Sequence, residues 1–193
     1  MAIQGVDWDQ ECTRTVKDFP TSLTERFCFD AWQSVVAKSE AWQDETFPAG
    51  PTSLLDSEVR KEARHESWKS FTWKRPQEVY EDGSFVIFET PEPTAFSKGS
   101  CEDSVFLAAV SAIAEQPSRI KNLFLTQSVN KAGCYAVKLY VNGEPKTVVV
   151  DDYFPYDSAE NKWAFASPVK VGPKIEIWIL ILEKAWAKVC GNY

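Results

Sequence analysis

The pattern changes sharply from Asp103, where Val105-Phe106-Leu107-Ala108-Ala109-Val110 continues to Ala114 with Ser111 as its polar interruption. Apolar residues almost all round a helix predict burial at a domain centre. A second very apolar helix is expected from Ile175 to Cys190, with Gly191 placed to end it. Between these two, Cys134 to Val141 and Thr147 to Val150 are β-branched and aromatic, and Asn142-Gly143 joins them. That pattern predicts a β-hairpin with a tight turn. Pro117 suits the first turn of a short helix, Ser118 to Leu125, whose Arg119 and Lys121 should face water, and a loop at Ser128 to Gly133 ends it.

Upstream the pattern is weaker. Ser22-Leu23-Thr24-Glu25 forms a capping box ahead of Phe27, Phe29, Trp32, Val35 and Val36, which predicts an amphipathic helix near 23–41. Phe47-Pro48-Ala49-Gly50-Pro51 breaks the chain, and Ser53 with Asp56 signals a second helix running to about Arg64. Trp68 to Pro76 reads as an extended, aromatic-anchored stretch, and Tyr80 to Ser97 as a loop-rich approach. No repeat of 20 to 50 residues and no low-complexity tract occurs. The organisation expected is an N-terminal extension, 1–45, mostly helical, followed by one α+β domain, 46–193. Trp8, Trp32 and Trp42 of the extension are either core residues or interface anchors.

Composition narrows the function. With 21 basic and 28 acidic residues the formal charge is -7, without a Lys/Arg cluster, so the driving force for phosphate-backbone binding is missing and no nucleic-acid partner is expected. Cys12, Cys28, Cys101, Cys134 and Cys190 are scattered and lack a Cys-x-x-Cys spacing, which fits reduced thiols in the cytosol better than disulfides or zinc. The N-terminus lacks a signal pattern, and Ala2 stands where myristoylation needs glycine. Ile177 to Leu182 is too short for a span of about 20 residues, so no membrane crossing is expected.

The segment Lys98-Gly99-Ser100-Cys101-Glu102-Asp103-Ser104, followed by Val105-Phe106-Leu107-Ala108-Ala109, resembles the active-site segment of calpain-type cysteine proteases. The family pattern there is Gln-Gly-x-x-Gly-Asp-Cys-Trp-Leu-Leu-Ala-Ala. Trp73-Lys74-Arg75-Pro76, Val149-Val150-Asp151-Asp152, Glu176-Ile177-Trp178 and Leu182 to Lys188 match further calpain segments in order. The resemblance implies a papain-like, calpain protease-core first subdomain: a central buried helix packed with further helices and a hairpin. Gly99 and Asp103 keep their family identities. Ser104 takes the nucleophilic cysteine position, Lys98 the oxyanion-hole glutamine, Glu102 the glycine and Val105 the tryptophan.

These departures point one way chemically. A thiol can be ionised by a helix terminus and an imidazolium, whereas a serine hydroxyl cannot. Lys98 puts a flexible cation where a fixed amide donor should face the oxyanion, and Glu102 adds a carboxylate that disfavours negative charge nearby. The resemblance places the family's histidine and asparagine downstream of the closing helix, beyond Tyr193. His65, the single histidine, matches no family catalytic position and is expected as a surface helix-end residue. Cys101 is the rival nucleophile, but it lies in the loop, away from the helix start, and is expected as a half-buried structural thiol. A serine hydrolase built on Ser104 and His65 lacks a Gly-x-Ser-x-Gly elbow.

The resemblance also maps calcium ligands to Ala95 and Glu176. One acid kept beside one lost implies a weak or absent site, with Glu92 near enough to compensate. Asp151, Asp152 and Asp157 are expected as a solvated turn. The function expected is a catalytically inactive calpain-like protein-interaction or scaffold module, cytoplasmic, with cytoskeletal or ciliary/flagellar association among its settings. Its partner would bind the cleft-side surface near the start of the 104–114 helix and at Trp163. The alternative is half of a calcium-dependent cysteine endopeptidase whose second subdomain supplies His and Asn.

Overall fold

The computed structural model describes residues 31–55, 63–81 and 83–193. Its helices are α1 (Trp32–Lys38), α2 (Pro51–Leu54), α3 (Pro76–Val79), α4 (Ser104–Ala114), α5 (Pro117–Lys121) and α6 (Trp178–Cys190), with a 3-10 helix at Ala63–Ser70. The strands are β1 (Thr72–Lys74), β2 (Phe85–Val86), β3 (Phe96–Ser97), β4 (Cys134–Val141), β5 (Glu144–Asp151), β6 (Phe154–Asp157), β7 (Lys162–Trp163), β8 (Ser167–Pro168) and β9 (Ile175–Glu176). Among the described residues no helix is long and apolar enough to cross a membrane.

β4 and β5 form the expected hairpin, paired from Cys134 opposite Asp151 to Val141 opposite Glu144. Asn142 (φ 53°) and Gly143 (φ 80°) supply the two positive φ angles that a two-residue turn needs to match the strand twist. The other sheets are small. β1, β6 and β7 pair antiparallel, β3 pairs with β8, and β2 runs parallel to β9, so the loop-rich stretch before residue 98 is pinned to the segment preceding α6. This pairing takes Ile175 and Glu176 out of the expected helix, which starts at Trp178 instead. Gly191 (φ 106°) then ends it as expected, its amide reaching the Ala187 carbonyl.

The centre of the domain is α6. Every residue from Trp178 to Ala185 is buried, as are Ala187, Lys188 and Val189. The 104–114 helix is present with the expected bounds, but only Leu107, Val110 and Ala114 are buried, and Val105 is 86% exposed. The expectation of all-round burial therefore fails for α4. Alanine on the outer face of a helix costs little in water, so an apolar sequence there does not require a covering layer.

Upstream, the capping box at 22–25 lies outside the described residues. α1 packs Trp32, Val35 and Val36, together with Trp42, against Ala132, Cys134, Ala136 and Val149 on one face of the hairpin. Trp32 and Trp42 thus take the packing role rather than that of free anchors. The helix expected from Ser53 is reduced to α2, which stops at extended Leu55, and residues 56–62 lie outside the description. The extended stretch expected from Trp68 begins later, because the 3-10 helix runs to Ser70.

Two charged clusters tie distant segments to α6, and a third joins the segments around it. Lys188 Nζ lies 2.6 Å from Asp44 Oδ2 and also donates to the Val149 carbonyl, at 2.7 Å. Lys184 Nζ pairs with Asp151 Oδ1 and donates to the Tyr153 carbonyl. The Asp44 amide completes the link by donating to Asp151 Oδ2 at 2.8 Å. Arg75 Nε stands 3.2 Å from Asp152 Oδ1, and its guanidinium donates to the Trp42 carbonyl. Asp151 and Asp152 are both 0% exposed, which corrects the expectation of a solvated turn. Asp157 alone keeps a turn role, accepting from the Ala159 and Glu160 amides. Gly133 (φ 64°) is required beside this cluster, since a Cβ there would sit 2.2 Å from Asp152 Oδ1.

Removing one member of a buried pair leaves an uncompensated charge. Lys188→Met should therefore cost about 3–5 kcal/mol. Asp44→Leu/Lys188→Met should regain more than half of that loss. Urea unfolding midpoints of the three proteins measure both effects.

Candidate functional site

The loop from Lys98 to Asp103 leads into α4 because its backbone is pressed onto the segment joining β7 to β8. The Ser100 amide donates to the Ala164 carbonyl at 2.9 Å. A Cβ on Gly99 would lie 2.0 Å from the Phe165 carbonyl oxygen, so no side chain fits there. Asp103 then serves as the residue before the helix, its carbonyl accepting from the Leu107 amide at 3.0 Å. Ser104 is thereby placed at the first helical position, exposed, with Lys98, Glu102 and Val105 exposed around it. This is the residue that the calpain resemblance aligned with the family nucleophile. Its side chain is a hydroxyl, which a helix terminus does not ionise.

The residues behind this loop form a second, interior group. Cys101 is 8% exposed and packs with Leu54, Leu55, Trp68, Ala164 and Phe165. Burial, followed by the carboxylates of Asp103 and Glu183, pushes its thiol up to about 12. It is consequently a structural thiol rather than a rival nucleophile. His65 is 6% exposed, edge-on to Trp68 at 4.7 Å between ring centres, so the expected surface histidine is in fact interior. The 3-10 geometry explains the pairing, because residues three apart eclipse one another.

Glu183, from α6, accepts the Ala166 amide on both carboxylate oxygens, at 2.9 and 3.2 Å. Burial holds it well above the ordinary glutamate value, and the Asp103 carboxyl raises it further. Asp103 is itself raised by burial, an effect partly offset by the neighbouring Glu183 carboxyl. This acid pair was not singled out from the sequence. The available signal was a charged residue inside an otherwise apolar helix, a position that charge rarely occupies without a partner.

Trp163 is not the exposed anchor expected of it. It is 4% exposed, packs against Tyr80, Phe154 and Tyr156, and donates from Nε1 to the Tyr80 hydroxyl at 2.7 Å. The turn between β6 and β7 folds it inward, where its large apolar ring is sheltered from water.

At the mapped calcium positions, Ala95 is a buried methyl, 2% exposed. Glu176 Oε1 accepts from the Thr90 amide at 2.8 Å, and its buried Oε2 has no hydrogen-bond partner among the described residues. The nearby Glu89 carbonyl accepts from Lys121 Nζ at 2.5 Å. Among the described residues no group of three or more His, Cys, Asp or Glu could hold a metal ion.

Two measurements follow from these environments. In the native chain at pH 8, iodoacetamide should modify Cys101 and Cys134 at least about a hundredfold more slowly than in urea, because both thiols are raised to about 12. Peptide-resolved mass spectrometry reads the rates. Glu183 keeps its proton to higher pH in the folded than in the unfolded chain, so stability falls as pH rises above 4.5. Glu183→Gln keeps an acceptor for Ala166 and should make that decline shallower, by up to about 1.4 kcal/mol per pH unit. Chemical unfolding between pH 5 and 8 tests the sign.

Residues 42–193 match the family described as calpain family cysteine protease. The chain is 32% identical over 171 residues to the calpain-type cysteine protease ADL1 of Oryza sativa subsp. japonica, covering 83% of this chain and 7% of that protein. It is 31% identical over 155 residues to the calpain-2 catalytic subunit of Rattus norvegicus, covering 79% of this chain and 21% of the relative. Calpain-13 of Rattus norvegicus is 27% identical over 160 residues, covering 82% and 23%. The chain thus spans less than a quarter of the length of each of these relatives. With α4 rising from the Lys98–Asp103 loop and α6 held by the carboxylates of the matching segments, the chain belongs to the calpain family of cysteine proteases.

Proposed function

We propose that residues 46–193 are the first subdomain of a calpain-type protease core whose catalytic loop has lost its chemistry, and that the chain works as a protein-interaction or scaffold module. Residues 1–45 are its extension. The observation that carries this reading is the mismatch at α4: a nucleophile seat kept in backbone geometry and filled by the exposed hydroxyl of Ser104. The chain's single imidazole does not serve it. His65 is buried against Trp68 and shares its surroundings with Cys101 and Asp103. Lys98 and Glu102, both exposed beside the seat, supply a mobile cation and a carboxylate where an oxyanion needs a fixed neutral donor.

The interaction role draws support from the same helix. Val105, at 86% exposure, and Tyr140, at 62%, flank an apolar groove that also takes in Ala109, Ile113 and Leu139. An apolar patch of this kind marks a surface that binds another protein. A cytoplasmic setting, with cytoskeletal or ciliary/flagellar association, goes with that role. Calcium is not needed in this reading, because the acid at position 95 is replaced by a buried methyl.

The test is catalytic. Ser104→Cys, mixed with a separately supplied second half of a calpain core and calcium, should leave casein uncut. The fourfold change Lys98→Gln, Glu102→Gly, Ser104→Cys, Val105→Trp should be needed before any cleavage appears. Robust casein cleavage by the unaltered chain, or by Ser104→Cys in the presence of the second half, would overturn the reading.

A further inference from the structure

A cavity of about 370 Å³ lies on the inner side of the Cys101–Asp103 segment, between the 3-10 helix and the C-terminal part of α6. Three acids reach it, Glu102 and Asp103 from the loop and Glu183 from α6. Aromatic walls are provided by Trp68, Trp186 and Tyr193. No lysine or arginine is among the described residues that line it. His65 also lines it, 6% exposed, and among the described residues neither ring nitrogen has a hydrogen-bond partner.

That last feature is unusual for a purely structural cavity. A buried polar group without a partner costs about 1–3 kcal/mol, and native proteins seldom leave both nitrogens of an imidazole in that state. An uncharged imidazole offers one donor and one acceptor. The remaining walls are acidic and aromatic, and a positive charge is attracted by the Glu102 and Asp103 side and by the negative faces of the rings. An anion would meet three carboxyl groups, and a plain hydrocarbon would leave the polar groups unsatisfied.

We propose that this cavity is a binding site for a small organic cation, an ammonium or guanidinium group carried on an apolar stem. The stem lies against the indole rings, the charged head meets the Glu102 and Asp103 side, and His65 takes a hydrogen bond from the head group. The same head group is carried by a free polyamine and by the basic side chain of a peptide. The site does not depend on whether Ser104 is catalytically inert, since Ser104 is not among its lining residues.

Calorimetric titration of the whole chain with N-acetyl-arginine amide, N-acetyl-lysine amide, putrescine and the uncharged N-acetyl-norleucine amide tests it. At least one cation should bind one-to-one, about tenfold or more tightly than the norleucine amide. Tighter binding of putrescine assigns a free amine, and tighter binding of a blocked amino-acid amide assigns a peptide side chain. Glu102→Gln and His65→Gln should each weaken the cation about tenfold, consistent with loss of one charged hydrogen bond. Circular dichroism checks that each variant folds. Glu102, at the exposed edge, keeps the test decisive if His65→Gln does not fold. The proposal is overturned if no cation binds the folded chain, if the norleucine amide binds equally well, or if the folded variants keep the parent affinity.

Discussion

Lys184 and Lys188 stand one helical turn apart on a helix with almost no exposed surface, and each needs a carboxylate brought to it from elsewhere in the chain. Asp151 comes from the end of the hairpin and Asp44 from the segment after α1. Those two are themselves joined through the Asp44 amide. The lysine charges are surrounded by rings as well, with Trp73 5.3 Å and Phe154 5.8 Å from Lys184 Nζ. A buried charge without its partner costs several kcal/mol, so α6, the hairpin and the segment around residue 44 can only reach the folded state together. Burial lowers the Lys188 affinity for its proton, and Asp44 opposes that change.

The arrangement of the catalytic loop follows from this frame. α6 presents Glu183 next to Lys184, and Glu183 grips the Ala166 amide beside the carbonyls that hold Ser100 and exclude a side chain from Gly99. The loop is therefore positioned by the core and not by its own exposed residues. Lys98, Ser104 and Val105 face water. A loop held this way can vary at its exposed positions while the fold is kept, because different residues hold the fold and face the loop surface.

Elements built from neighbouring residues were legible in the sequence. Asn142-Gly143 set the hairpin turn because both positions need positive φ, and β-branched residues on either side favour extended backbone. The bounds of α4 and the end of α6 at Gly191 were equally local, as was the resemblance of the Lys98–Ser104 loop to the calpain segment. The 3-10 helix was missed, because Ala63–Ser70 carries no amphipathic pattern and is anchored by edge-on contacts of Trp68 with His65 and Phe165.

The sequence by itself determined the family, the hairpin and the two long helices, since each is written in contiguous residues. Only the tertiary structure decided which apolar helix is central, since α4 and α6 read alike until contacts made far along the chain bury one and leave a face of the other bare. It alone turned Asp151 and Asp152 from a solvated turn into buried partners of Lys184 and Arg75. It likewise folded Trp163 inward and brought His65 beside Asp103 and Glu183. Burial and charge pairing are properties of neighbours in space, and residues such as Asp44 and Lys188 become neighbours only when the chain has closed between them.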